Sequence, residues 1–325
     1  MAATGRRDTK RERRTRARRQ RRSTVPALIM SRIAYVNGRY VPHRQAMVHV
    51  EDRGYQFADG VYEVLAVKDG QRFDEALHLD RLDRSLREIR ITPPFGRTAI
   101  AAIFGEIVRR NLLRDGMLYL QVSRGVARRD HAFPAGVRPS VVVTGRRLRP
   151  PAADAVENGI AVISKPDIRW ARCDIKSIAL LPNALLKQEA REAGAYEAWL
   201  TDDKGVVTEG TSSNAWIVDK TGRLVTHPAD HAILNGVTRQ VVLRLAREQG
   251  IDVVERKFTL AEAKAASEAF LTSTTVGILP VVRIDDAPVG NGAPGLLTGE
   301  LRRSYFGHPA GVFLAVPTGN SRPAN

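Results

Sequence analysis

Cysteine is nearly absent: Cys173 is the single thiol in 325 residues, which excludes an internal disulfide and a thiolate metal cluster. The plainest reading of Cys173 is a small buried filler. Long apolar runs are absent as well. Nothing approaches the ~18 consecutive apolar residues of a membrane helix, and the first residues lack the apolar core of a secretory signal, so a cytoplasmic protein without a membrane partner is expected. There is no Gly-x-x-x-x-Gly-Lys-Ser/Thr loop, no Gly-x-Ser-x-Gly elbow and no His/Asp/Glu spacing that suits a metal. Self-similarity at the scale of solenoid or propeller repeats is missing too.

What is abundant is positive charge, +16 over the chain, and it is unevenly spread. Residues 1 to 22 hold eleven Arg or Lys against Asp8 and Glu12, so this stretch alone carries +9. A like-charged block without apolar residues cannot bury a core, so residues 1–30 read as a disordered arm. Contact of this arm with nucleic acid is conceivable, and a basic RNA-binding protein is the rival reading from another class. Met30 directly precedes the first foldable residues, so residues 1–29 are expected to be dispensable. The rest of the chain has ordinary hydrophobic content and enough length for about two domains.

Periodicity divides that remainder. Ile33–Val36, Asn37–Gly38 and Arg39–Val41 predict a hairpin, because both turn residues tolerate positive φ. Val61–Val67 predicts a strand running through Asp69–Gly70 into Gln71–Phe73. Leu79, Leu82, Leu86 and Ile89 fall at helical spacing, and Ile100, Ile103, Phe104, Ile107 and Val108 repeat the pattern. Strands are expected at Met117–Val122 and Val141–Val143. The proline-bearing, aperiodic segment Arg146–Ala153 is the expected domain boundary. Beyond it come strands at Ile160–Ile163, Tyr196–Leu200, Ala215–Val218 and Ala269–Leu271, and helices after Lys176 and from Val237 to about Glu248. The division is a small domain at 31–148, a large one at 149–306 and a loose tail at 307–325.

Chemistry can sit at a few places. Lys176 stands just ahead of the apolar run Ile178–Leu181, and a partly desolvated lysine can offer its amine for Schiff-base formation, although most such lysines only snorkel. Gly236-Val237-Thr238 opens a helix, whose free N–H groups suit a phosphate. The run Thr272-Ser273-Thr274-Thr275 ends a strand and offers hydroxyls to the same kind of anion. Arg81 is a third anion candidate, or else a solvated helix residue. Together these favour a cofactor phosphate. Glu209 falls in Val207–Asn214, where a turn joins two strands, and by itself reads as an exposed turn acid. Arg129-Asp130-His131 lies in a polar loop, where guanidinium and imidazole can grip a carboxylate.

Four ordered motifs, Glu51–Glu63, Arg172–Ser177, Thr208–Asn214 and Gly236–Arg239, together resemble the class IV aminotransferases of fold type IV, which use pyridoxal 5'-phosphate. The likeness runs from about Ile33 to about Phe306, and within the family it is greatest to the members acting on D-amino acids. The resemblance implies an α/β enzyme (α+β, two domains) working as a homodimer on amino acids and 2-oxo acids. D-Alanine and 2-oxoglutarate are examples. It implies that Lys176 binds the cofactor and shuttles the proton, that Glu209 pairs with the pyridinium nitrogen, and that Arg81, Val237, Thr238 and Thr274 hold the phosphate. Ser212, Ser213 and Leu234 would line the ring and Tyr62 would face the substrate. Arg129 and His131 match the pair that, in the D-amino-acid enzymes, traps the substrate carboxylate from the neighbouring subunit. Asp130 and Arg128 depart from that pattern beside the pair. The branched-chain relatives usually carry Glu-Gly-Ser-Gly-Glu-Asn where this chain has Glu209–Asn214. Branched-chain or (R)-amine transamination and aminodeoxychorismate cleavage are the alternative chemistries on this fold.

Overall fold

The computed structural model describes residues 32–148 and 151–308. The arginine-rich arm, Met30 and the tail from residue 309 lie outside the described residues.

The first sheet is antiparallel throughout, with six strands in the order β2-β1-β6-β5-β3-β4. Strands β1 (Ile33–Val36) and β2 (Arg39–Pro42) are joined by Asn37 and Gly38, at φ 45° and 94°, as the Asn-Gly pair predicts. Asp52 then caps a short helix α1 (Arg53–Phe57) by accepting from the Gly54 N–H at 2.8 Å. Ala58 ends it in the left-handed region at φ 54°, which turns the chain into β3 (Gly60–Lys68). Gly60 tolerates no side chain, because a Cβ would stand 2.6 Å from the Val122 carbonyl oxygen on the neighbouring strand. The hairpin partner β4 is short, Gln71–Arg72.

Helices α2 (Glu75–Glu88) and α3 (Arg97–Arg110) pack on this sheet through the stripes that their spacing predicts. Leu79, Leu82, Leu86, Ile100, Ile103, Phe104 and Ile107 are all buried against Val61, Leu65, Leu118, Leu120 and Val143. Each such side chain contributes roughly 1.5–3 kcal/mol by leaving water, so these stripes dominate what holds the layers together. Strands β5 (Gly116–Ser123) and β6 (Ser140–Arg147) complete the sheet. Arg146 and Arg147, expected to begin the irregular boundary, instead pair with Met117 and Gly116 and extend β6.

The second sheet is mixed and follows the order β12-β11-β10-β13-β14-β7-β8-β9. A short helix α4 (Ala153–Glu157) leads into β7 (Ile160–Pro166), helix α5 (Leu181–Glu192) and β8 (Glu197–Thr201), which is parallel to β7 as a crossover requires. Then come β9 (Val207–Gly210), β10 (Asn214–Val218), β11 (Leu224–Thr226), helix α6 (Val237–Glu248), β12 (Val253–Glu255) and a second short helix, α7 (Leu260–Lys264). Strands β13 (Glu268–Ser273), β14 (Gly277–Ile284) and β15 (Ala287–Pro288) precede helix α8 (Leu296–Gly307). Trp199 and Phe258 anchor the apolar layer on one face. On the other, Trp216 and Phe270 stack at 5.4 Å beneath α6 and α8. The expected loose tail from residue 307 begins one residue too early, since Gly307 closes α8. Tyr305 is buried in that helix.

Candidate active site

Lys176 lies in neither sheet but runs along an open edge of the first. The Tyr62 N–H donates to the Lys176 carbonyl at 3.0 Å and the Ile178 N–H to the Gly60 carbonyl at 3.1 Å, with a bridge between Val61 and Ser177. This pairing sets the lysine against the face of β3 that carries Tyr62 and Val64, opposite the face packed on α2. Its Nζ lies 4.2 Å from the centre of the Tyr62 ring, a cation–π contact. Tyr62 in turn stacks on Tyr119 at 5.6 Å, and burial pushes the Tyr119 hydroxyl up to about 12.

A cavity of about 210 Å³ opens beneath the amine. Its wall contains Tyr62, Arg81, Lys176, Glu209, Ser212, Ser213, Leu234, Val237, Thr238 and Thr274, ten of the twelve residues singled out from the sequence. Arg129 and His131 are not on it. Both are exposed on the loop after β5, where the Arg129 guanidinium lies 4.5 Å over the Phe57 ring. Asp130, which interrupts that pair, turns its carboxylate back onto the Ala132 N–H at 3.1 Å, so its charge is spent on the loop's own turn.

Glu209 corrects an expectation. It sits in strand β9 rather than in a turn and is buried, with the turn beginning only at Thr211. Arg169 donates to Oε1, and Oε2 accepts from the Asn214 amide at 2.9 Å and the Leu234 N–H at 3.1 Å. A carboxylate has about four acceptor positions, so one on Oε1 is left for the cavity. Burial raises the Glu209 carboxyl above its ordinary value, with the Arg169 guanidinium opposing. Arg169 is itself locked by Asp167 at 2.7 Å. Neither Arg169 nor Asn214 was identified as functional from the sequence. The signal for Asn214 was its place at the end of the Glu209 motif, whereas Arg169 lies 40 positions from Glu209 and meets it only in the fold.

Arg81, for which a solvated helix face was the bland alternative, is buried. Its Nε and Nη2 donate to the two oxygens of Glu63 at 2.8 and 2.9 Å, and Nη1 reaches the Asn235 carbonyl at 3.2 Å. Of five guanidinium N–H donors two are left for an anion. His78, one turn earlier on α2, holds the same carboxylate at 2.7 Å. Burial would raise Glu63, but Arg81 outweighs it and holds the acid down at about 2, while burial lowers His78 against the opposing pull of Glu63. Facing Arg81 is the start of α6, whose first N–H groups, at Val237 and Thr238, have no intrahelical partner. Gly236 is required there, because a Cβ would run into the Asn214 amide oxygen.

Cys173, expected as a buried filler, is partly buried and on the cavity wall. Its thiol donates to the Trp170 carbonyl at 3.1 Å, and burial pushes it up to about 12, which makes it a poor nucleophile. Among the described residues no cluster of His, Cys, Asp or Glu could hold a metal, and no helix is long and apolar enough to cross a membrane.

Two layers of α/β structure meeting at a lysine, a buried acid and a phosphate-suited helix start define a class, and the sequence comparison agrees. Residues 60–284 match the model of amino-transferase class IV, and the chain belongs to that family; it is a transaminase. Particular relatives sharpen this. The chain is 45% identical over 262 residues to a D-alanine aminotransferase of Bacillus licheniformis, covering 81% of this chain and 92% of the relative. It is 38% identical to one of Staphylococcus haemolyticus, covering 83% and 95%. Among solved structures it is similar to the branched-chain amino acid aminotransferase of Escherichia coli, with TM-score 0.80 and 26% identity over 85% of this chain and 94% of that one. A 4-amino-4-deoxychorismate lyase from Pseudomonas aeruginosa follows, with TM-score 0.71 and 29% identity over 83% and 97%.

Proposed function

We propose that this chain is a pyridoxal 5'-phosphate-dependent D-amino-acid aminotransferase, with D-alanine and 2-oxoglutarate as a representative pair. The observation that carries the cofactor is the cavity's donor set. Lys176 offers an amine that lies against the Tyr62 ring, Glu209 keeps one acceptor position free, and Arg81 keeps two N–H groups beside the open start of α6. These fit an aldehyde carbon, a ring N–H and a phosphate respectively. Once bound, the cofactor would supply an electron sink for chemistry at the substrate Cα.

The chain's own residues supply the rest. Lys176 would tether the cofactor, and its amine would hold and move the proton at the substrate Cα. Glu209 accepts from the ring nitrogen, its basicity raised by burial while Arg169 keeps it oriented. Arg81, Val237, Thr238 and Thr274 hold the phosphate, and Ser212, Ser213 and Leu234 bound the ring. Tyr62 faces the substrate. Arg129 and His131 receive the α-carboxylate. Because they sit outside the Lys176 cavity of their own chain, this reading makes the enzyme a homodimer in which each subunit completes its partner's site. We also take the two sheets as the small domain (31–148) and the large one (149–306), with the cavity between them.

The preference for D-amino acids rests on the loop pair and on the relatives called D-alanine aminotransferase. The test is steady-state transamination with 2-oxoglutarate, reading the 2-oxo acid formed from D-alanine, from L-alanine and from L-leucine. D-Alanine should exceed L-alanine in kcat/KM by at least roughly a hundredfold. Turnover of L-alanine or L-leucine alone would reject the reading in favour of branched-chain chemistry.

A further inference from the structure

Arg129 and His131 lie on an exposed loop, yet a pair that selects a carboxylate has to be held at fixed spacing. The structure contains a device that does this. Arg53, on α1, is 3% exposed and donates through Nε to Asp59 at 2.7 Å. The same carboxylate takes two bonds from Arg124, at 2.7 and 2.9 Å, so Asp59 is clamped between two guanidinium groups. With its stem fixed in this way, Arg53 turns its other two nitrogens to the loop. Nη1 donates to the Asp130 carbonyl and Nη2 to the His131 carbonyl at 3.5 Å. Beneath them, the Phe57 ring is shared three ways. The Arg53 guanidinium lies 4.8 Å from its centre, Arg129 lies 4.5 Å from it, and the His131 ring is 5.4 Å away at 49°.

We infer that Arg53 and Phe57 are positioning residues for substrate selection, a backbone clamp and an aromatic platform that together fix the separation and aim of Arg129 and His131. This rests on the reading that those two residues receive the α-carboxylate. Neither positioning residue lies on the wall of the Lys176 cavity, so neither touches the reacting atoms of its own chain. Their effect is therefore confined to carboxylate binding: removing the ring frees two side chains without disturbing Lys176. Cation–π contacts at partly exposed sites contribute ~0.5–1 kcal/mol each, so losing the platform corresponds to about a fivefold weakening of carboxylate binding.

The test uses the full-length holoenzyme. Phe57→Leu removes the platform, Phe57→Tyr restores an aromatic face, and Arg53→Lys keeps a cation for Asp59 but cannot reach both carbonyls. For Phe57→Leu and Arg53→Lys, the D-alanine KM and the inhibition constant of propionate, an unreactive carboxylate, should each rise about fivefold, with kcat within about twofold. The rise in melting temperature produced by saturating propionate should shrink in parallel, and Phe57→Tyr should return all three readouts to near the parent values. Unchanged KM and propionate binding in both Phe57→Leu and Arg53→Lys, or a fall in kcat with KM constant, overturns the inference. Arg129→Ala separates this from the reading beneath it. If Arg129→Ala leaves the D-alanine KM unmoved, the carboxylate assignment and the inference fall together. If it raises KM while Phe57→Leu does not, the inference alone falls.

Discussion

Glu63 shows what a single residue carries in this protein. It occupies the α2-facing side of β3, in the alternation that otherwise places Val61, Leu65 and Val67 there, and a carboxylate at that position has to be fully paired. Arg81 and His78 provide the pairing, and the acid sits at about 2 against an ordinary value of 4.5. Because the folded value is the lower one, its stabilisation is complete above about pH 4.5 and is lost as pH falls toward 2. Glu63→Gln should therefore cost on the order of 3 kcal/mol near neutral pH, a gap that narrows as pH falls below 4.5. Urea unfolding of both proteins across pH 3 to 7 measures it, and a gap independent of pH would contradict the ion-pair account. Glu63 also fixes how Arg81 presents its two unused N–H groups, so the acid is an orienting partner for the proposed phosphate clamp.

At the scale of elements, the start of α6 and the turn after β9 are one assembly. Asn214, the first residue of β10, donates to Glu209 at 2.9 Å and to the Leu234 carbonyl at 2.8 Å, while its amide oxygen lies against the Gly236 Cα. The helix start and the buried acid are thus spaced by one amide side chain. Gly236→Ala should push that amide aside, costing about 1–3 kcal/mol by overpacking and loosening the proposed phosphate and ring-nitrogen contacts together. A fall in melting temperature together with faster loss of cofactor on dialysis is expected, and an unchanged melting temperature would show that the contact relaxes without effect. The elements themselves were unequally legible. Stripes such as Leu79, Leu82, Leu86 announce α2 because one apolar face meets one sheet. Strand β14 and helix α8 were missed: β14 is buried through Gly277–Val281 with no period to read, and α8 starts after Gly and Pro residues that mask its stripe of Leu301 and Tyr305.

For the whole molecule, the separation of Arg129 and His131 from the Lys176 cavity is the decisive fact. If each subunit lends this pair to its partner, Lys176→Ala and Arg129→Ala are each defective alone, yet a mixture refolded together regains activity. Half of the dimers then pair one variant with the other, and each has one intact site, so about a quarter of the parent activity should return. No gain on mixing would place the pair within its own subunit's site.

The residue types that make the site were present in order along the chain: Lys176 ahead of an apolar run, Glu209 in its polar motif and Gly236-Val237-Thr238 opening a helix. Local chemistry marked Lys176 and Gly236-Val237-Thr238 as candidates, through desolvation and free helix N–H groups, whereas Glu209 read by itself as an exposed turn acid and took its role from the family resemblance. Tertiary structure alone decided the partners. Arg169 meets Glu209, Arg81 meets both Glu63 and the Asn235 carbonyl, and Arg53 meets the loop carrying Arg129, across separations of 18 to 154 residues. Pairing and burial at such distances are set by how two sheets and their helices pack, and no local pattern encodes that.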